Sequence, residues 1–470
     1  MQKREIYLEN YWLLFLDFID VFAKLTYNNI PLPVLANFYQ YLDANLKEEM
    51  TKPDFKKHLN SKSISDAQIQ PQFERWLNPL KQPCARKPVQ GKVLLNFDYL
   101  RFSQNNYRYF DPKETVIFTR WQQNKYLGMP VHCINNYKVE VKKVVNDLIE
   151  RAKVIFTSVN THAVFNNQYF YNTFISLIPE MVERIAAVNR YLEENPTSCL
   201  LVGTTEDLIS RILTIVAACK GIPSICMQHG LLGGDEAYLP AFSTMVAVYG
   251  HYEKDWYLNR GLSENRITIT GHPRFDDIFT QSHMSKAEFQ KKFEIDPKKI
   301  IIFIPSQPFN DSLWIQLVSL LAKNPSFEII IKPHPWEISK NKYSIYEKLR
   351  SQYKSVKLFL SRKINIYDIL PNVDIVVVNI STVGLEAMLF NKTVFFANNS
   401  FEYHQKMGMF AQPDPFKLTK LIIEFFKDKD MQNNAEVKRK EFLAYAYPEV
   451  LSKERLQNLI HNLTKGYGRV

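Results

Sequence analysis

The feature that most restricts what this chain can become is a strand–helix alternation that runs twice along it. From Val93 onward VLLNF, TVIFT and VHCI read as strands, followed by helical segments around 137–156 and 172–195. SCLLVG (strand), EDLISRILTIVAACKG (a helix stopped at Gly221), IPSICMQHG, STMVAVYG, the short helix HYEKDWYLNRGL ending at Gly261 and the strand NRITITG complete the first run. After a Lys-rich helix near 285–298 the pattern restarts with KIIIFIPS, DSLWIQLVSLLAK, FEIIIKPHP, VKLFLS, VDIVVVN, STVGLEAML and TVFFAN. The strand runs are apolar throughout and do not alternate, as expected where helices cover both faces of a sheet. Such alternation builds parallel sheets, and two runs predict two doubly wound domains.

With 470 residues there is room for both and for additions. The predicted partition is a helical N-terminal extension over 1–84 with no strand-like run, a first α/β domain over 85–280, a second over 281–430, and C-terminal helices over 431–470. The polar stretch KQPCARKPVQGK separates the extension from the first domain. A hydrophobic fraction of 46% excludes a mostly disordered chain. The net charge of +11 is spread along the sequence, which favours small anionic partners over a nucleic-acid-binding tail. Only 14 glycines argue against a glycine-rich phosphate loop. Cys84, Cys133, Cys199, Cys219 and Cys226 form no CxxC pair and read as reduced core thiols of a cytoplasmic protein. The N-terminal apolar run is broken by Asp17 and Asp20, unlike a signal peptide, and no apolar run reaches the roughly 18 residues that span a bilayer. The basic helix KLTKLIIEFFKDK either packs on its own sheet or lies at the inner face of the cell membrane.

In open α/β sheets ligands bind beyond the carboxyl ends of the strands, and here those positions are polar and rich in histidine. Gln228-His229-Gly230 follows PSICM, where a glycine permits a sharp turn and a histidine of ordinary pKa can move a proton; the alternative is a loop histidine tied to backbone. Gly271-His272-Pro273-Arg274 ends a tight turn with a guanidinium suited to phosphate, or with a surface arginine, and Phe275, Asp276 and Asp277 begin the interdomain connection. Lys332-Pro333-His334-Pro335 fixes a histidine between two prolines, with Trp336 and Glu337 placed to pack beneath it. Asn379-Ile380-Ser381-Thr382 precedes a helix capped by Ser381 or Thr382, an anion site made of backbone N–H groups and hydroxyls, with Glu386 one turn in. Ser306 and Gln307 end the first strand of the second run. Glu206 and Asp207 lie at a helix start, where negative charge is favoured with or without a ligand, and Asp235 and Glu236 are weaker candidates on the same side.

Several chemistries find no counterpart. There is no Walker A, GxGxxG, GxSxG or HExxH pattern. The one DxD-like triplet, Asp428-Lys429-Asp430, sits at a Lys-rich helix end, and the histidines lack helix-spaced partners for zinc. No metal and no further cofactor are expected.

The order QHG, GHPR, KPHP and IYDILPNVDIVVVNISTVGLEA over about 195–400 resembles the GT-B glycosyltransferase superfamily, in particular its CDP-glycerol glycerophosphotransferase and capsule polysaccharide (polysialyltransferase-like) branch. UDP-N-acetylglucosamine 2-epimerases share the layout. The resemblance implies two Rossmann-like domains facing a cleft and a nucleotide-activated donor, CMP-, CDP- or UDP-linked, held mainly by the second. It implies His229 as base on the hydroxyl of a glycan or lipid-linked acceptor; Gln228, Gly230, Glu206 and Asp207 are expected on the same acceptor side from their places at the strand ends. It implies His334, Arg274, Ser381 and Thr382 on the donor phosphates and Glu386 on the ribose; by their strand-end positions Lys332, Ser306, Gln307 and Asn379 are expected beside them. Asn379-Ile380 stands where the glycerophosphotransferases carry an aspartate and an aromatic residue. QHG stands where the epimerases carry an acidic segment, and no acidic-acidic-glycine base motif of the polysialyltransferases is found. The implied activity is an inverting, metal-independent transfer; an epimerase and a catalytically inactive scaffold are the other readings.

Overall fold

The computed structural model describes residues 2–60, 63–82, 90–308, 311–448 and 450–465. Most of the linker and Cys84 lie outside these residues. Every strand expected from Val93 onward forms, and the chain gathers into two compact units.

The first unit comprises Met1–Tyr249, Glu253–Arg274 and Ser452–Val470. Its main sheet holds β3 (Lys92–Asn96), β4 (Thr115–Thr119), β5 (Lys125–Tyr126), β6 (Met129–Cys133), β7 (Thr197–Val202), β8 (Ser224–Met227), β9 (Met245–Val248) and β10 (Ile267–Ile269). The order across the sheet is β10-β9-β8-β7-β3-β4-β6-β5, parallel except for the two-residue β5, which has no apolar run to announce it. Consecutive strands β3 and β4 lie to one side of the start and β7 to the other, so the winding reverses between β3 and β7. The second unit comprises Gly250–Tyr252 and Phe275–Leu451. Its strands β11 (Ile300–Pro305), β12 (Phe327–Lys332), β13 (Val356–Leu358), β14 (Ile375–Val378) and β15 (Thr393–Phe396) are all parallel in the order β13-β12-β11-β14-β15, and here the winding reverses between β11 and β14. β7 and β14 are buried at every residue, which explains their unbroken apolarity.

Four expectations about the organisation need correction. Residues 1–84 are not free of strands: β1 (Thr26–Tyr27) and β2 (Ile30–Pro31) form a hairpin, because Asn28 and Asn29 accept left-handed backbone at φ 49° and 63°. The N-terminal segment is no separate body but part of the first unit. Its helix Gln2–Phe22 buries Phe15, Phe18 and Phe22, and Phe18 meets Phe170 and Phe174 of the long helix Gln168–Glu194 edge-on at 5.3 and 5.0 Å. The last helices are also divided between the units, and the boundary after the first sheet falls at Arg274 instead of 280. The helix Lys429–Ala446 belongs to the second unit, whereas Lys453–Thr464 returns to the first. It returns because Leu456, Leu459, Ile460 and Leu463 form an apolar stripe that completes a core with Leu95, Leu201, Ile225 and Met227.

Of the described cysteines, Cys133 and Cys199 are buried, Cys219 and Cys226 half-buried, and all four are free thiols. No described helix is long and apolar enough to cross a membrane. The helix Pro415–Phe425, which holds most of KLTKLIIEFFKDK, buries Leu418, Ile422 and Phe425, and Phe425 meets Phe395 of β15 at 5.5 Å, so its apolar face is occupied inside its own unit.

Candidate functional site

In the first unit the strand ends on either side of the β3–β7 reversal frame a cleft of about 450 Å³. The loop after β3 supplies Tyr99 and Arg101, the loop after β7 supplies Thr204, Glu206 and Asp207, and His229 enters from β8. A reversal point opens such a space because neighbouring connections leave on opposite faces of the sheet. Tyr99 and Arg101 both adopt left-handed backbone, at φ 65° and 55°. Neither residue type prefers it, so the loop is held by its surroundings. Gly203 is what lets the loop lie there: a Cβ at that position would come within 2.1 Å of the Tyr99 carbonyl.

His229 stacks on Tyr238 with ring centroids 5.0 Å apart, and the Tyr238 hydroxyl donates to the Leu231 carbonyl at 2.8 Å, which holds the loop. Burial, reinforced by the nearby Arg101 and Arg274 guanidiniums, pushes the His229 pKa down to about 4. The histidine of ordinary pKa expected from sequence is therefore a neutral one at physiological pH. Arg274 follows the tight turn expected from sequence. It lies in the first turn of the helix Pro273–Thr280, and its N–H donates to Nδ1 of the buried His272 at 3.2 Å. Gly271, at φ 67°, makes the tight turn before it.

The other residues expected on this side separate. Glu206 lines the cleft. Asp207 also lines it, but its carboxylate caps the helix Leu208–Cys219, accepting from the Ser210 N–H at 3.1 Å and its hydroxyl at 3.0 Å. Gln228 is buried and faces inward: its amide donates to the Gly230 carbonyl at 2.7 Å and accepts from the Tyr249 N–H at 3.3 Å. Gly230 does not use left-handed backbone, so no sharp turn requires it. Gln228 thus braces the loop that carries His229. Asp235 is paired with Arg260 at 2.6 Å.

In the second unit the site is a bonded chain along the strand ends. Glu337 is buried, and its carboxylate accepts from the Ser306 hydroxyl (2.8 Å), the His334 N–H (2.7 Å) and the Tyr346 hydroxyl (3.0 Å). His334 Nδ1 in turn accepts from the Trp336 N–H at 3.2 Å, which assigns the ring proton to Nε2 and makes that nitrogen a donor. The rigidity expected from the two prolines thus comes equally from this capping box. Gln307 spans the β11–β14 reversal: its amide accepts from the Ile380 N–H at 2.7 Å and donates to the Ile380 carbonyl. Ser306 and Gln307, expected on the donor, have their polar atoms committed to this bracing. Ser381 caps the helix Thr382–Leu389 by accepting from the Val383 N–H at 3.2 Å. Asn379 Oδ1 is buried without a hydrogen-bond partner beside that helix start. Glu386 is buried one turn in, and Lys332, its pKa lowered by burial, donates to the Ser361 carbonyl at 3.0 Å.

Sequence reasoning missed Tyr99, Arg101 and the wall of the first cleft formed by Leu35, Asn37, Gln40 and Tyr41. The same strand-end rule, applied to β3, leads straight to Tyr99 and Arg101. Nothing in the sequence signals residues 35–41. They are placed by Arg211, buried at 3% exposure, which donates to the Thr205 carbonyl (2.8 Å) behind β7 and to the carbonyls of Leu35 and Ala36.

A family model described as capsule polysaccharide biosynthesis protein matches residues 280–401. No curated protein sequence matches the chain. Among solved structures, the S. aureus MnaA–UDP complex superposes with a TM-score of 0.54 at 10% identity, covering 79% of this chain and 96% of that one. Anabaena HepE in complex with UDP and glucose gives 0.52 at 12% identity, covering 79% and 99%. The UDP-GlcNAc 2-epimerase of Methanocaldococcus jannaschii gives 0.50 at 13%, covering 79% and 99%. At such identities the likeness is one of fold. The chain is therefore an α/β protein with a GT-B-like fold whose second sheet region carries the capsule polysaccharide biosynthesis match.

Proposed function

We propose that this protein is an inverting, metal-independent transferase of capsule-type polysaccharide biosynthesis, moving a sugar or polyol-phosphate from a CMP-, CDP- or UDP-linked donor to the hydroxyl of a glycan or lipid-linked acceptor. It needs no cofactor beyond that donor. The observation that carries this reading is His229, held neutral at the wall of a cleft of about 450 Å³ at a sheet reversal point. A neutral imidazole can take a proton, and a cleft of that size admits a sugar ring.

In the transfer, the acceptor oxygen attacks the donor's electrophilic centre while His229 accepts its proton. The bond to the nucleotide phosphate breaks and its electron pair leaves with the phosphate. Binding of an anionic substrate beside Arg101 and Arg274 offsets the two charges that depress His229 and so raises its basicity when it is needed. In the second unit, the start of the Thr382 helix with the Ser381 and Thr382 hydroxyls, and His334 Nε2–H, are the groups suited to the charge of a nucleotide phosphate.

His229→Ala should lower kcat about 10²–10⁴-fold while calorimetry with CMP, CDP and UDP shows unchanged nucleotide binding. Full activity in that variant would remove His229 from the reaction. Formation of the C2 epimer from UDP-N-acetylglucosamine without any acceptor would replace transfer by epimerisation. Loss of turnover in EDTA would refute metal independence, and a protein that binds no nucleotide would be a scaffold.

A further inference from the structure

The first cleft does not end at Arg101. A second cavity of about 430 Å³, lined by Phe97, Asp98, Phe102, Tyr107, Arg120 and Trp121, shares Tyr99 and Arg101 with it. The two form one track along the strand ends of the first sheet. Trp121 follows β4 and is 59% exposed, the only exposed one of the chain's six tryptophans. Its ring is not loose: it meets Phe97 edge-on at 5.9 Å, and Phe97 stacks on Tyr107 at 5.3 Å. Tyr99, 44% exposed, presents a second aromatic surface, and the Arg120 guanidinium lies 6.0 Å from its ring. The buried Asp98 accepts from Arg120 Nε at 2.9 Å and fixes the guanidinium's direction.

An ordered aromatic face flanked by a fixed carboxylate–guanidinium pair matches a particular chemistry. The C–H face of a pyranose lies flat on an indole or phenol ring, and its equatorial hydroxyls reach the charged pair at the edge. We infer that the Trp121–Tyr99–Arg120 cavity is a second saccharide subsite, which holds the sugar next to the acceptor's terminal residue while the terminus occupies the His229 cleft. The preferred acceptor is then an oligosaccharide and not a single sugar. This inference rests on the transferase reading and specifies its acceptor.

The test uses the full chain on a glycan array graded from single sugars to long oligosaccharides, with hexoses, N-acetylhexosamines and uronic acids represented, and nucleotide binding measured in parallel by calorimetry. The wild type should bind longer chains more tightly than single sugars. Trp121→Ala should weaken oligosaccharide binding about tenfold and flatten the length dependence, Trp121→Phe should restore most of it, and single sugars should bind all three alike. A length preference that survives Trp121→Ala overturns the subsite. A wild type that binds UDP, CDP or CMP but no saccharide also overturns it and leaves the transferase reading standing. A protein that binds neither nucleotide nor saccharide defeats both.

Discussion

The two strand-end clusters of this protein are built on the same rule and differ in how they are finished. In the second unit every component comes from the sheet's own loops. Gln307 ties the loop after β11 to the loop after β14, and Glu337 ties Ser306 to the His334 turn. In the first unit the corresponding reversal point is walled by residues 35–41, brought in by an N-terminal segment and pinned by one buried arginine. The second unit's cluster is a self-contained frame, and the first unit's is tailored by an addition; on the proposed reading these are the donor and acceptor halves. That division is what a transferase needs if its donor chemistry is fixed and its acceptor is particular.

The largest break in this comparison should come from Arg211. Burial pushes its pKa down to about 10, yet it remains the cation that satisfies carbonyls of two segments at once. Arg211→Leu leaves those carbonyls buried and unpaired, a loss of about 3 kcal/mol. Denaturant unfolding should show the loss in the first unit's transition, with nucleotide binding unchanged. Unchanged stability would mean that the 35–41 wall is held by its aromatic core alone.

Next in size is a contrast between two glycines. A Cβ on Gly203 would lie 2.1 Å from the Tyr99 backbone, whereas one on Gly384 would lie 3.2 Å from the side chains of Phe396 and Val378. Backbone cannot yield as side chains can. Gly203→Ala should cost about 2 kcal/mol and displace the Tyr99–Arg101 loop. Gly384→Ala should cost less than about 1 kcal/mol, because alanine's helix propensity offsets the crowding. Equal Tm values for the two variants would contradict the difference in loop packing.

Gln307 sharpens the other side. Gln307→Ala removes both hydrogen bonds that fix Ile380, and the loop before the Thr382 helix loses its brace. Nucleotide affinity should fall about tenfold, or 1.4 kcal/mol, with the acceptor-side length preference intact. An unchanged affinity would show that Ser381 alone sets the loop.

The same contrast explains what could be read from the sequence. The parallel sheets were legible because strands such as DIVVV and SCLLV are buried on both faces and carry no polar interruption. The turns at His229, Arg274, His334 and Ser381 were legible because strand ends are fixed once strands are found. The roles behind them were not. Nothing local distinguishes Gln307, which braces, from His334, which presents a donor, since the difference lies in a partner 73 residues away for the one and a capping box three residues away for the other. Pockets closed by distant segments were illegible for the same reason: Arg211 reaches Leu35 across 176 residues. His229 resembled any strand-end histidine until its burial, with Arg101 and Arg274 nearby, set its charge.

The smallest effect separates a histidine that serves the site from one that only fills a core. His404 of the second unit is fully buried, stacked on Phe396 at 4.0 Å and edge-on to Phe401 at 4.8 Å, and neither ring nitrogen has a hydrogen-bond partner. Burial pushes its pKa down to about 3. In the unfolded chain the ring titrates near 6.5, so below that pH the unfolded state binds a proton that the folded state refuses. Stability is therefore full above about pH 6.5 and falls as the pH is lowered toward the folded value. Between pH 6.5 and 5.5 this one ring accounts for a loss of about 1 kcal/mol. His404→Phe should remove that slope from the second unit's unfolding transition and leave nucleotide binding untouched. His229→Ala, by contrast, removes a similar slope from the first unit together with turnover. An acid slope in the second unit that persists in His404→Phe would place the titrating group elsewhere and leave His404 a neutral filler with no thermodynamic signature.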